Sequence, residues 1–176
     1  MIKKGQVWIE TVLYTLIGLA LIGVALGFLM PKINEARDKA LVNQAINSLS
    51  EIDGKITEVL ERGVGNIRQT EFLMKRGELY INSSSDEIVF ILRGLAGQYS
   101  QPGVEIGIGR LKVLTEAGQK TTTTSLSVSY NVNLTYNGRD DDKKFTSTSI
   151  PYKFSISNKG LVNGKILIDL EEISNR

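Results

Sequence analysis

Glu10 is the one charged residue in the 24-residue apolar run from Val7 to Met30. A carboxylate in hydrocarbon costs roughly 2.5–3.5 kcal/mol on insertion scales, so this one calls for a partner or a task. Other stretches hold residue types that can do chemistry. GLVNGKI at 160–166 looks like a phosphate loop, but its spacing is one residue short. Ile166 also stands where a hydroxyl would hold magnesium, so no phosphate site is expected. VEIGIGRL at 104–111 has a GxG but no third glycine and no following helix. Asp140, Asp141 and Asp142 offer clustered oxygens of the kind a hard cation takes. Lys143 and Lys144 follow directly, and the stretch reads as a solvated turn, with no metal expected. Asn82-Ser83-Ser84 and Asn133-Leu134-Thr135 match the N-glycosylation sequon, with Asn133 at a solvent-facing strand position.

The composition removes further chemistry. The 176 residues contain no histidine and no cysteine. The commonest general base and metal ligand is therefore missing, as are thiolate catalysis, zinc–cysteine sites and disulfides. Lys and Arg number 21 against 19 Asp and Glu, and no basic cluster is interleaved with aromatics, so no nucleic-acid surface is indicated. No enzymatic activity and no cofactor are expected. A surface protein without cysteine must be held by packing alone or by assembly.

The elements that position Glu10 come first in the chain. At 1.5 Å per residue, Val7 to Met30 spans about 36 Å of helix, enough to cross a bilayer core of roughly 30 Å. Lys3 and Lys4 precede the run and favour a cytoplasmic N-terminus. The run leads into FLMPKINEA without a small-x-small cleavage site, so the segment is expected to be retained. Gly23 and Gly27 form a GxxxG step with Gly18 and Ala20 nearby, small residues of the kind that allow close helix packing in lipid. Pro31 fits a kink or a fresh helix start at the membrane exit. Beyond it Ile33, Ala36, Ala40, Leu41, Ala45, Ile46, Leu49, Ile52, Ile56, Val59 and Leu60 recur at gaps that mark one helix face. Charged residues between them, Asp38 and Asp53 included, read as the solvated face. Gly63 and Gly65 stop the helix.

The remainder reads as β structure. IRQTEFLM, ELYINSS and EIVFILR are separated by turn residues, and 101–118 suggests two more strands. In SLSVSYNVNLTY, Leu126, Val128, Tyr130, Val132, Leu134 and Tyr136 alternate with small polar residues, which predicts one half-buried strand. NGRDDDKK at 137–144 is read as a hairpin turn, with a return strand through Ile150, Tyr152, Phe154 and Ile156. Pro151 hints at a sheet edge or a bulge. KILIDLEEI ends the series. The fold class is α+β: a long N-terminal helix, transmembrane and then amphipathic, followed by an antiparallel all-β head of seven or eight strands. The expected divisions are 1–5, 6–31, 32–63 and 64–176.

The opening residues resemble archaeal type IV pilin precursors with a class III signal peptide. The resemblance is carried by Lys3, Lys4, Gly5, Gln6, Glu10 and the long apolar helix, and it covers residues 1–40. Trp8 departs from the family pattern of glutamine, x, serine, x, glutamate. The resemblance implies cleavage between Gly5 and Gln6 by a membrane aspartic prepilin peptidase. Losing Lys3 and Lys4 balances the basic residues against the 19 acidic ones. It further implies a precursor in the plasma membrane, then an extracellular filament of identical subunits, served by an assembly ATPase and a platform membrane protein. Glu10 becomes the fifth residue of the mature chain, where it meets the positive end of the helix dipole and the new amine of Gln6 on its own or a neighbouring subunit. Such a pair sets register more than stability. Adhesion, movement, DNA uptake and transfer of material are all open roles for such a filament. Three alternatives stand beside it: a minor pseudopilin of a secretion or DNA-uptake system, an anchored surface binding domain that never polymerises, and, weakest, a tethered enzyme.

Overall fold

The computed structural model describes residues 4–173, with side chains for 7–173. One helix, α1 (Lys4–Arg62), takes up 59 residues, a rod of about 88 Å. Pro31 lies inside it. Its ring removes the N–H that would bond the Gly27 carbonyl, yet the kink or fresh start expected there does not break the helix. The stop is where the glycines place it. Gly63 and Gly65 have φ of 84° and 83°, left-handed values that close a helix C-terminus. The Asn66 amide donates to the carbonyls of Arg62 and Gly63 at 2.8 and 3.1 Å.

Ten strands follow among the described residues: β1 (Ile67–Phe72), β2 (Glu78–Asn82), β3 (Glu87–Leu95), β4 (Glu105–Ile108), β5 (Leu111–Ala117), β6 (Thr122–Ser129), β7 (Asn133–Tyr136), β8 (Lys143–Thr146), β9 (Tyr152–Val162) and β10 (Lys165–Glu172). They form a four-stranded sheet, β1-β9-β10-β7, and a six-stranded sheet, β4-β5-β6-β3-β2-β8. All pairs are antiparallel except β10 with β7.

Three expectations change here. The single strand expected over 125–136 is two strands in different sheets. Tyr130 and Val132 stay buried at the crossing, so the alternation of burial runs on while the hydrogen-bonding partner changes. Asp86 holds the crossing: its carbonyl accepts from Tyr130 N and its carboxylate from Leu134 N, both at 2.9 Å. The expected 137–144 hairpin is only a local turn. Asn137 and Gly138 have φ of 50° and 70° between Tyr136 and Arg139, which exchange two backbone bonds, as in a type I′ loop. Its arms then part to separate sheets, and β9 pairs with β1 and β10 instead. Pro151 precedes the first residue of β9, an interior strand. The missing donor is therefore placed at a strand start rather than at an edge or bulge.

The phosphate-loop look-alike is a hairpin tip. Asn163 and Gly164, with φ of 50° and 82°, turn β9 into β10. Gly109, at φ 61°, likewise turns β4 into β5.

The second half of α1 and both sheets share one core. The helix runs antiparallel to β1: Asp38 meets Arg76 just past that strand, Glu51 meets Thr70, and Glu58 meets Arg68. The head therefore has a near end, where the apolar helix leaves it, and a far end at the α1–β1 turn.

Candidate functional site

The feature most open to function is the part of α1 that the head does not cover. Every large apolar side chain from Val7 to Met30 that is described as exposed lies on this rod, among them Trp8, Tyr14 and Phe28 at 70%, 73% and 79%. Such a helix has the length and composition of a membrane span. Thr11 and Thr15 donate to the carbonyls of Val7 and Thr11 at 2.9 and 2.8 Å, so their hydroxyls are satisfied within the helix. Glu10 is exposed and shares a helix face with Tyr14, Ile17 and Leu21. Gln6 is one turn before Glu10 in the same helix. Lys3 lies outside the described residues, and Lys4, Gly5 and Gln6 are described by backbone alone.

The glycines do not make a single stripe. Gly23 and Gly27 are four residues apart and share a face, which Ala20 joins. Gly18 is nine residues from Gly27 and therefore points about 180° away from it. A Cβ on any of the three would meet nothing within 4 Å. Close approach by another helix is thus available along Ala20, Gly23 and Gly27 and not along Gly18.

The exposed rod is held by the embedded half. Burial begins at Asp38 and runs through Val42, Ala45, Ile46, Leu49, Ile52, Asp53, Ile56 and Val59. This corrects the expected stripe at both ends of its polarity. Ile33, Ala36 and Ala40 are exposed, and Asp38 and Asp53, read as solvated, are buried. Asp38 accepts from the amide of Ala96 and lies 3.4 Å from Arg76 Nη1. Arg76 in turn donates through Nη2 to the carbonyls of Arg93 and Gly94 at 2.7 and 2.6 Å. The helix approaches this loop so closely that a Cβ on Gly97 would stand 3.0 Å from Glu35 Cγ. Asp38 is therefore the pin at the helix exit.

Asp53 makes a second pin. Arg110, from the β4–β5 tip, lies 3.4 Å from Asp53 Oδ1 and donates to Thr57 Oγ1 at 3.1 Å. Its guanidinium also stands 5.3 Å from the centre of the Tyr130 ring. Burial, and then the Asp53 carboxylate, push the Tyr130 hydroxyl well above the usual tyrosine range, against the pull of Arg110. At the far end Asn158, 3% exposed, donates to the Val59 carbonyl at 3.2 Å. Removing the first pin should be measurable. Asp38→Ala is expected to lower stability by about 1–3 kcal/mol, the cost of an orphaned amide and a lost ion pair. The half-exposed Arg76 keeps the loss below that of a fully buried pair. Urea denaturation of the full chain in detergent, with amide exchange at Ala96, checks it.

Comparison with family models, with curated proteins and with solved structures gives no match to this chain.

The remaining sequence-predicted residues lie on the head. Asn82 is half-buried at the end of β2, before the short 3₁₀ turn Ser83–Ser85. Asn133 is half-buried rather than freely solvent-facing, at the start of β7. Its sequon partner Thr135 is buried and donates to Asp169 Oδ1 at 2.8 Å. Asp140, Asp141 and Asp142 are exposed, as a solvated turn requires. Asp142 nevertheless accepts from Ser84 N and Ser84 Oγ at 3.1 and 3.0 Å, tying this loop to the Ser83–Ser85 turn. Tyr136, between the two sheets, donates to Glu172 at 3.1 Å. Burial and then that carboxylate push its hydroxyl up to about 12. Among the described residues no group of three or more Asp or Glu side chains is arranged to hold a metal ion.

The pins were missed because charge was taken as a mark of solvent. A signal was present: Asp38, Val42, Ala45, Leu49, Ile52 and Ile56 follow helical spacing, so Asp38 falls on the buried face once polarity is set aside.

Proposed function

We propose that this chain is the structural subunit of an archaeal type IV-like surface pilus, cut between Gly5 and Gln6 and polymerised through its N-terminal helix. The observation that carries the reading is one unbroken helix with two unlike halves. Val7 to Met30 is apolar on all sides and uncovered, whereas Asp38 to Val59 is built into the head. A bilayer can cover the first half in the precursor, and copies of the same helix can cover it in a filament. The junction residues Lys3, Lys4, Gly5, Gln6 and Glu10 favour the second as the end state, by their resemblance to prepilin signal peptides. On this reading the prepilin peptidase, the assembly ATPase and the platform protein are the partners during assembly, and the mature chain is extracellular with no enzymatic role.

Intact-mass and N-terminal peptide analysis of the chain from its native membrane or sheared filaments tests the reading. The expected N-terminus is Gln6 or its cyclised form. An intact Met1, or a cut elsewhere, sinks the pilin reading and leaves an anchored surface domain.

A further inference from the structure

The near end of the head lies close to the apolar rod. From Met30 to Asp38 the helix rises only about 12 Å. Loops of the head meet this short stretch from the side. Ala96 N donates to Asp38, Arg76 pairs with Asp38, and Gly97 packs against Glu35. Thr122 Oγ1 donates to the Gly97 carbonyl at 2.6 Å, which sets the start of β6 at this level. The β5–β6 turn stands further toward the rod. It is closed by Gly118 N donating to the Thr121 carbonyl at 2.9 Å and carries Lys120 at its tip.

This end is positively charged. Lys32 and Arg76 pair with Glu35 and Asp38. Arg37, Lys39, Lys75 and Lys120 are exposed and form no ion pair among the described residues. Glu116 is the exposed acid left unpaired beside them, so four cations against one acid leave an excess of three positive charges. Arg37 and Lys39 also lean toward the rod, because Cα–Cβ bonds on a helix tilt toward its N-terminus. Acid gathers at the other end. Asp140, Asp141 and Asp142 are exposed, and Ser83 and Ser84 hold their loop past the end of β2 at 3.2 and 3.0 Å. Asp86 follows that turn and bonds Tyr130 N. The Tyr130 ring lies under Arg110, which pairs with Asp53, about 22 Å beyond Asp38 along α1.

We propose that the near end docks on the anionic headgroups of the bilayer that holds the rod. A lipid surface is the partner because the continuous helix fixes the distance. The headgroup layer on each side of the hydrocarbon core is roughly 5–7 Å thick. Lys32 therefore lies within it, and Lys75 and Lys120 stand at its outer edge, within about one Debye length of 8 Å. Basic side chains at that height are attracted to an anionic surface, while the acidic loop is held away from it. The membrane plane meets every side of the helix at once, so the cations need not share one helix face. The inference needs the rod to lie in a bilayer and does not need a filament.

The chain has no cysteine, so introduced thiols report without background. Gln119→Cys places a donor dye on the turn tip, and Asn163→Cys places one at the far end. Each full-length variant is reconstituted into vesicles of phosphatidylcholine, alone or mixed with phosphatidylglycerol, with an acceptor dye on a trace lipid. Circular dichroism verifies folding. Energy transfer from position 119 is expected to be higher in the anionic vesicles, and transfer from position 163 is not. The difference should vanish in 1 M salt, where the screening length falls to about 3 Å. Lys75→Gln and Lys120→Gln should each lower the ratio of docked to undocked heads roughly fivefold. Equal transfer from position 119 in the two lipids overturns the proposal. So does a difference that survives high salt or the double Lys75→Gln, Lys120→Gln variant. A chain that floats with neither vesicle overturns it together with the bilayer reading of the rod. The cut before Gln6 is measured separately, so the pilus reading can fail while docking holds, and the reverse.

Discussion

Phe145→Ala is expected to lower the stability of the head by about 3–5 kcal/mol, the range for removing a buried phenylalanine. Phe145 lies on β8 of the six-stranded sheet and is 3% exposed. Its ring makes edge contacts with three rings of the four-stranded sheet: Tyr136 at 5.6 Å, Tyr152 at 5.0 Å and Phe154 at 5.2 Å. Edge-to-face pairs add roughly 0.5–1.5 kcal/mol each beyond burial. The β8 strand is only four residues long and pairs with β2 alone, so few backbone bonds compensate for the lost ring. Against an ordinary domain stability of about 5–15 kcal/mol, that is a third or more of the total for all but the most stable domains. A urea titration of the full chain in detergent, followed by near-ultraviolet circular dichroism, reads the effect. Tyr152→Phe is the control. It keeps the ring and loses only the hydroxyl bond to the Thr146 carbonyl at 2.8 Å, so it should cost about 1 kcal/mol. Equal midpoints for Phe145→Ala and the unaltered chain would show that the two sheets do not depend on this cluster.

On the pilus reading proposed above, Glu10→Val is the second large effect, and it is expected to act on assembly rather than on folding. The head begins at Asp38, and Glu10 lies on the rod about eight helical turns earlier. Stability of the head is therefore expected to be unchanged. Insertion into the bilayer should improve, since the change removes roughly 2.5–3.5 kcal/mol of insertion cost. Filament yield should nevertheless fall by about tenfold or more, an energetic loss of about 1.4 kcal/mol or more per docking event. The reason is that an apolar rod has many nearly equal axial registers against its copies. A carboxylate near the positive helix end selects the register that places it by an amine. Glu10→Gln tests the charge separately from the shape and should fail in the same direction. Filament counts by electron microscopy of sheared cells, with subunit amounts matched in the membrane, decide it. Normal yield from Glu10→Val removes Glu10 from docking.

The two halves of α1 were legible because both signals are local. An unbroken apolar run and a 3.6-residue recurrence each show within a few turns, and Gly63 ends the helix by its backbone freedom. Strands β2, β3, β5 and β6 were legible for the same reason, since alternation within a strand reports which side is buried. Tyr130 and Val132 show the limit of that signal. Alternation continues across them because both remain buried, while the chain leaves one sheet for the other. Asp38 and Asp53 show a second limit. A carboxylate reads as solvated until Arg76, the Ala96 amide and Arg110 are brought to it from 38 to 58 residues away.

The sequence by itself determined that an apolar rod precedes an amphipathic helix and a β head, that Glu10 is the rod's sole charge, and that cysteine and histidine chemistry is absent. These follow from residue type and short-range spacing. Only the tertiary structure decided which strands share a sheet, that β7 runs parallel to β10, and that two aspartates pin the helix. Each of those depends on contacts between segments far apart in the chain. A hydrophobic pattern specifies that a face must be buried, but the partner that buries it is set by how the whole chain packs.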